Sequence, residues 1–309
     1  MGPLPGPLVG ADWLARRLGE PGLVVFDASV GAHRGARRRI PGARPFDIDG
    51  ALSDPTSPLP HTMPGADRLT GELRSLGLDE SSTVVVHDGA GIHSSARAWW
   101  MLRAMGFDRA AVLDGGLPAW TAAGLPVESA AARYAGPRGD FTARPRPGLL
   151  VGSGRVAAAL ADPASAVLDA RARERFTGTA PEPRPGLRAG HMPGAVSLPF
   201  GELQDNGLMR PVRELRRMFS GAAGERRKLV LSCGSGVTAC VLALGAELAG
   251  YDDLAVYDGS WSEWGLPSSG LPVVTGSNDG RDGGPGRPTS GDGGNGGRDG
   301  GRGGRGPGA

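Results

Sequence analysis

The feature that most narrows what this chain can fold into is an internal repeat. Leu23-Val24-Val25-Phe26-Asp27-Ala28-Ser29 returns as Ala166-Val167-Leu168-Asp169-Ala170-Arg171, and Ile40-Pro41-Gly42-Ala43 returns as Met192-Pro193-Gly194-Ala195. Further on, Thr83-Val84-Val85-Val86-His87-Asp88 matches Lys228-Leu229-Val230-Leu231-Ser232-Cys233. Last, Leu113-Asp114-Gly115-Gly116-Leu117-Pro118-Ala119-Trp120 matches Tyr257-Asp258-Gly259-Ser260-Trp261-Ser262-Glu263-Trp264. The offsets are 142, 152, 145 and 144 residues, and the matches keep their order. Self-similarity at a nearly fixed spacing means one structural plan used twice. The chain is a tandem duplication.

Each copy alternates short apolar runs with helical patterns. In the first, Leu23–Phe26, Val84–His87 and Ala111–Leu113 read as strands, and Asp12–Leu18, Gly65–Leu76 and Ser94–Met105 read as helices. In the second, Val167–Asp169, Leu229–Ser232 and Ala255–Tyr257 are the strands; Arg155–Ala161, Pro211–Ser220 and Val237–Ala249 are the helices. Strands that are apolar throughout suit parallel sheets buried on both faces. The expected fold class is therefore α/β, each copy a mostly parallel sheet flanked by helices.

Composition sets the boundaries. The 309 residues include 54 Gly and 27 Pro, but 16 of those glycines crowd into the last 34 positions. A tail over 276–309 with so little apolar surface has no means of folding, and disorder is expected there. The Ala-, Arg-, Gly- and Pro-rich stretch 129–148 reads as a linker between domains spanning 1–128 and 149–275.

The same composition excludes several function classes. No apolar run reaches the ~18–20 residues of a membrane helix. The opening Met1-Gly2-Pro3-Leu4-Pro5-Gly6 has no secretory pattern, so a cytoplasmic protein with no membrane partner is expected. With 34 basic against 32 acidic residues, electrostatic nucleic-acid binding is not expected as the main role. Two Cys and five His cannot build a structural zinc cluster or a disulfide framework, and no metal or organic cofactor is expected.

The chemistry concentrates at Cys233. Leu229-Val230-Leu231-Ser232 is a strand, Cys233-Gly234-Ser235-Gly236 is a turn of small residues, and an apolar helix follows. Doubly wound sheets bind ligands where strands end and helices begin. Small residues let the backbone curl so that its N–H groups form an anion nest, and the helix dipole adds to that field. Both favour a thiolate. A buried structural Cys is the plain alternative, but it has no need of Gly-Ser-Gly behind it. The first copy carries Asp88-Gly89-Ala90-Gly91-Ile92-His93 at the same place. A carboxylate cannot replace a thiolate nucleophile, so this copy is expected to be inert.

The loop Cys233-Gly234-Ser235-Gly236-Val237-Thr238 closely resembles that of the two-domain rhodanese-like sulfurtransferases, and is most similar to their 3-mercaptopyruvate branch. The resemblance extends over nearly the whole chain except the tail. It takes in Phe46-Asp47-Ile48-Asp49, Thr56-Ser57-Pro58, Ala98-Trp99-Trp100-Met101, Glu182-Pro183-Arg184-Pro185-Gly186, His191-Met192-Pro193-Gly194-Ala195 and Tyr257-Asp258-Gly259-Ser260-Trp261.

This resemblance implies a ping-pong reaction. Cys233 takes sulfur from 3-mercaptopyruvate, releases pyruvate, and passes the sulfur to a thiol, cyanide or a protein. It also implies that Arg175 and Arg184 bind the donor's carboxylate and carbonyl, with Gly234, Gly236, Val237 and Thr238 lining the substrate site. Ser235 and Asp49 match positions proposed to act with the nucleophile in proton transfer, and His61 matches a nearby His. Because Asp49 sits in the other repeat, the site is expected at the domain interface.

Rivals remain. A phosphatase of this fold needs an Arg six residues after the Cys, where this chain has Ala239. Thiosulfate as donor is a nearer alternative, although Gly234 and Ser235 stand where thiosulfate-specialised relatives tend to place basic residues. A non-catalytic sulfur-relay or regulatory module is the third. Arg37-Arg38-Arg39 reads as a solvated loop, Trp99 and Trp100 as packing residues, Cys240 as a helical core residue, and the tail's Arg-Gly-Gly elements as passive.

Overall fold

Val84, Val85 and Val86 show how the repeats fold. Successive strand residues face opposite ways, and here Val84 and Val86 enter one apolar cluster while Val85 enters another. A strand apolar on both sides needs cover on both sides. In the computed structural model, which describes residues 2–129 and 134–277, helices provide it.

The first repeat runs β1 (Leu8–Val9), α1 (Ala11–Ala15), β2 (Leu23–Asp27), β3 (Arg38–Arg39), β4 (Arg44–Pro45), α2 (Ala66–Ser75), β5 (Thr83–His87), α3 (Ser95–Ala104), β6 (Ala110–Leu113), α4 (Gly116–Ala122) and β7 (Glu128–Ser129). The second runs β8 (Leu150–Val151), α5 (Ser153–Ala161), β9 (Ser165–Asp169), α6 (Arg173–Thr177), β10 (Val196–Ser197), β11 (Gln204–Asp205), β12 (Leu208–Met209), α7 (Val212–Ala223), β13 (Lys228–Ser232), α8 (Ala239–Ala249), β14 (Asp253–Tyr257) and α9 (Ser260–Trp264). The main sheets are β1-β6-β5-β2-β4 and β8-β14-β13-β9-β10, with every neighbouring pair parallel. The two orders correspond strand for strand. The expected α/β architecture, one fold used twice, is what the chain adopts.

Helices at the outside are amphipathic: α2 buries Leu69 and Leu73, and α7 buries Leu215, Phe219 and Ala223. By contrast α3 and α8 are buried nearly all round. A helix covered nearly all round belongs in the interior, and these two pack against each other. One apolar cluster therefore runs through both repeats, from Val84 and Trp99 to Leu231 and Val241. Arg103 of α3 closes the same contact with an ion pair to Glu247 of α8 at 2.7 Å.

One expected segment looks different in three dimensions. From 137 onward the linker is strapped to the first repeat. Gly139 and Phe141 donate to the carbonyls of Arg74 and Leu78 at 2.8 and 3.1 Å, and Phe141 is buried. A Cβ at position 139 would overlap the Leu78 carbonyl, which accounts for glycine there. The tail expected over 276–309 lies outside the described residues from 278 onward. No helix among the described residues is long and apolar enough to cross a membrane.

Candidate active site

Cys233 follows the last residue of β13 and is 1 % exposed. Its N–H donates to Ser260 Oγ at 3.1 Å, and its carbonyl accepts from Trp261 N–H at 2.9 Å. The next carbonyl, of Gly234, accepts from both the N–H and the hydroxyl of Ser262, at 2.8 and 2.7 Å. The start of α9 thus clamps the base of the loop. Gly236 has φ of +73°, and a Cβ there would sit 2.6 Å from the Asp258 carbonyl oxygen. Only glycine satisfies both demands.

The backbone N–H groups of residues 234–238 have no acceptor among the described residues. In the first repeat several of the corresponding amides are occupied, Gly89 N–H by Ser29 Oγ at 2.9 Å and others by a side-chain carboxylate. The Asp88 carboxylate accepts from the N–H groups of Ala90, His93 and Ser95 at 2.9, 2.9 and 2.8 Å. The first repeat thus fills its own loop with a side-chain anion. In the second repeat the residue at the same place is Cys233, and no side-chain anion occupies the loop among the described residues.

Two guanidinium groups stand over Gly234. A Cβ at that position would lie 3.1 Å from Arg175 Nη2 and 3.8 Å from Arg184 Nη1. Their surroundings differ. Arg175 leads into a buried chain of charges: its Nη2 donates to Glu182 at 2.6 Å, and Glu182 also accepts from Arg171 at 2.8 Å. Arg171 binds Asp169 at 2.7 Å and lies over the Trp261 ring at 4.1 Å. Arg184 has no carboxylate partner among the described residues. It reaches only the hydroxyls of Ser235 and Ser262, at 3.4 and 3.5 Å. Arg184 is the cation with hydrogen-bonding capacity to spare.

The first repeat supplies the other wall. His61 Nδ1 is 2.9 Å from Ser235 Oγ, and its Nε2 is 2.9 Å from Asp49 Oδ1. Asp49 Oδ2 accepts from Gly31 N–H at 3.1 Å. A carboxylate can only accept, so in the neutral imidazole Nε2 carries the proton and Nδ1 accepts from the serine. The result is a Ser235–His61–Asp49 chain across the interface, its Asp49 end at the solvent edge. Burial pushes the His61 pKa below the usual histidine value; Asp49 opposes this, and Arg184 and Arg97 add to it.

All four residues expected to act on the sulfur or its protons, Cys233, Ser235, His61 and Asp49, therefore gather at one place, with Arg175 and Arg184 beside them. Gly234, Gly236, Val237 and Thr238 form the loop, although Val237 is itself buried in the core. Three further residues belong to the site without having been singled out from the sequence. Arg97 of α3, 0 % exposed, donates to the His61 carbonyl at 2.8 Å and to Asp258 at 2.6 Å. Asp258 also accepts from Met63 N–H at 2.9 Å. Glu182 holds Arg175 as described. Asp258 recurs as Asp114 in the repeat and Glu182 adjoins the Glu182-Pro183-Arg184 motif, so those two had a signal to follow; Arg97 had none.

The remaining side chains take modest places. Cys240 is buried, donates to the Gly236 carbonyl at 3.3 Å, and burial pushes its thiol up to about 12. Trp99 and Trp100 are buried in the shared core. Arg37 and Arg38 are exposed, and Arg39 meets Glu128 at 3.0 Å.

The rhodanese-like domain profile matches residues 10–123 and again 154–266. Over 285 residues the chain is 41 % identical to human 3-mercaptopyruvate sulfurtransferase, covering 87 % of this chain and 95 % of that one. Over 275 residues it is 38 % identical to the Escherichia coli K12 3-mercaptopyruvate sulfurtransferase, covering 86 % and 96 %. The crystal structure of SseA, a 3-mercaptopyruvate sulfotransferase from Escherichia coli, superimposes with a TM-score of 0.73 at 36 % identity, over 83 % of this chain and 99 % of that one.

Proposed function

The chain belongs to the rhodanese family as two rhodanese-like domains in tandem, and from that premise we propose a sulfurtransferase that works through a persulfide on Cys233 with 3-mercaptopyruvate as donor. The observation that carries the reading is the open amide nest at Cys233 with Arg184 beside it. One holds a charged sulfur and the other an anionic donor.

The first half-reaction runs as follows. Arg184 takes the donor carboxylate through two parallel N–H groups, while Arg175, braced by Glu182, faces the carbonyl. The Cys233 thiolate attacks the donor sulfur. An S–S bond forms, the C–S bond breaks, and its electron pair passes to carbon as the enolate of pyruvate. The donor's thiol proton moves to that carbon, giving pyruvate and leaving the persulfide anion. Ser235, hydrogen-bonded to His61, is placed to carry the proton, and Asp49 orients the imidazole. In the second half-reaction the outer sulfur passes to an acceptor. With cyanide the products are thiocyanate and the Cys233 thiolate.

In this reading residues 149–275 form the catalytic domain and 1–128 a non-catalytic wall that supplies Asp49 and His61, joined through 129–148. The working compartment is reducing, the cytoplasm, since the cycle starts from a free thiolate. Intact-mass and peptide mass spectrometry after incubation with 3-mercaptopyruvate test it. The expected result is one added sulfur on Cys233 with stoichiometric pyruvate, both lost in Cys233→Ser. No sulfur gained from either 3-mercaptopyruvate or thiosulfate would refute it, and comparing kcat/KM for the two donors tests the choice between them.

A further inference from the structure

Arg97 is a fully buried cation that touches both sides of the cleft. It belongs to α3 of the first repeat, yet it binds Asp258 of the second at 2.6 Å, the His61 carbonyl at 2.8 Å and the Gly236 carbonyl at 3.4 Å. Gly236 is the left-handed residue of the nucleophile loop. His61, the histidine next to Ser235, also stands in the left-handed region, with φ of +60°. Such a backbone persists in a non-glycine residue only where its surroundings over-determine it.

The duplication provides an internal control. Met63 N–H donates to Asp258 across the interface at 2.9 Å, and Met209 N–H donates to Asp114, the repeat counterpart of Asp258, at 2.8 Å. The two repeats thus latch onto each other reciprocally through the same kind of bond. At the offset of 145 that relates Asp88 to Cys233, the counterpart of Arg97 is Leu242, a buried apolar residue of α8. The latch over the inert loop therefore closes without a buried cation. A buried charge is costly, and it occurs where the cleft holds Cys233. Domain packing alone does not explain it.

We propose that Arg97, held by Asp258, is a positioning residue for sulfur transfer: it ties the His61 backbone to the nucleophile loop and so sets the His61–Ser235 hydrogen bond. This rests on the sulfurtransferase reading above. The imidazole is faced by Asp49 from the loop after β4, Arg184 from the loop after α6, Ser235 on the nucleophile loop and Arg97 from α3, with Asp258 behind Arg97. Substituting Arg97 removes one of two cations from this set and loosens the backbone beneath the ring.

The test uses Arg97→Met, Arg97→Lys and the double variant Arg97→Met/Asp258→Asn, which leaves no unpaired carboxylate at the interface and keeps the experiment interpretable if the single variant does not fold. With 3-mercaptopyruvate, kcat is expected to fall at least tenfold in Arg97→Met and in the double variant. KM should change less than threefold, because Arg175 and Arg184 are untouched, and Arg97→Lys should recover part of the loss. Independently of any substrate, the His61 ring resonance, identified by its disappearance in His61→Gln, should titrate at higher pH in Arg97→Met. A folded double variant with kcat within twofold of the parent, or a folded Arg97→Met with an unmoved His61 titration, would overturn the proposal. Failure of the parent to take up sulfur would instead defeat the sulfurtransferase reading, which the titration does not depend on.

Discussion

Arg184→Gln is the substitution for which the structure gives the clearest expected magnitude. The guanidinium now reaches two hydroxyls at 3.4 and 3.5 Å, both long for hydrogen bonds. Removing it strands no buried carboxylate, so stability should change by no more than about 0.5 kcal/mol, as for a substitution outside the core. Binding is another matter. A hydrogen bond to a charged group contributes ~1.5–3 kcal/mol, and each 1.4 kcal/mol is tenfold. Loss of the fork to the donor carboxylate should therefore lower kcat/KM for 3-mercaptopyruvate about 10- to 150-fold. Arg175 offers the contrast. Its partner Glu182 is buried and keeps only Arg171 when Arg175 is removed, so Arg175→Gln should lower stability as well as turnover. The assay is steady-state pyruvate release with thermal unfolding of the same samples. A folded Arg184→Gln protein with kcat/KM within threefold of the parent would refute the assignment of Arg184 as the anion receptor.

Four other outcomes follow from the geometry. His61 has its pKa depressed by burial, so the neutral ring that accepts from Ser235 is lost only as pH falls below the ordinary histidine value near 6.5; kcat/KM should hold above that and decline below it. Asp49→Asn removes the group that raises the His61 pKa, so the acid limb should move to lower pH while the maximal rate drops. Arg171→Met removes the cation between Asp169 and Glu182, both almost fully buried, and should cost about 3–5 kcal/mol in denaturant unfolding, as broken buried pairs do. Cys240→Ala should leave sulfur uptake by Cys233 unchanged on intact-mass analysis, since Cys240 is a buried thiol bonded to a backbone carbonyl.

Much of this molecule was legible from local patterns. The apolar runs at Thr83–His87 and Lys228–Ser232 became the central strands, and the expected helices matched the observed ones to within a few residues. The two-residue strands β1, β4, β8 and β10 went unread, because a pair of residues carries no period. The segment before Phe141 looked like a free spacer by composition, yet its backbone is bonded to Arg74 and Leu78. Composition registers flexibility of the chain and is blind to a neighbour that uses its amides.

The division at the site has the same origin. A tight turn of small residues between a buried strand and an apolar helix is a short-range feature, so Cys233 and its loop could be read directly, as could the replacement of that cysteine by Asp88. The Ser235–His61 bond joins positions 174 residues apart. It exists because α3 and α8 pack together and turn the two repeats' loops toward each other. Arg97 is the extreme case. As one arginine on a helix it carries no pattern, and only the packing of both repeats around it shows a buried cation behind the histidine. Periodicity and turn chemistry act over a few residues and leave their trace in the sequence. The meeting of distant side chains is a property of the packed interface, and no local window contains it.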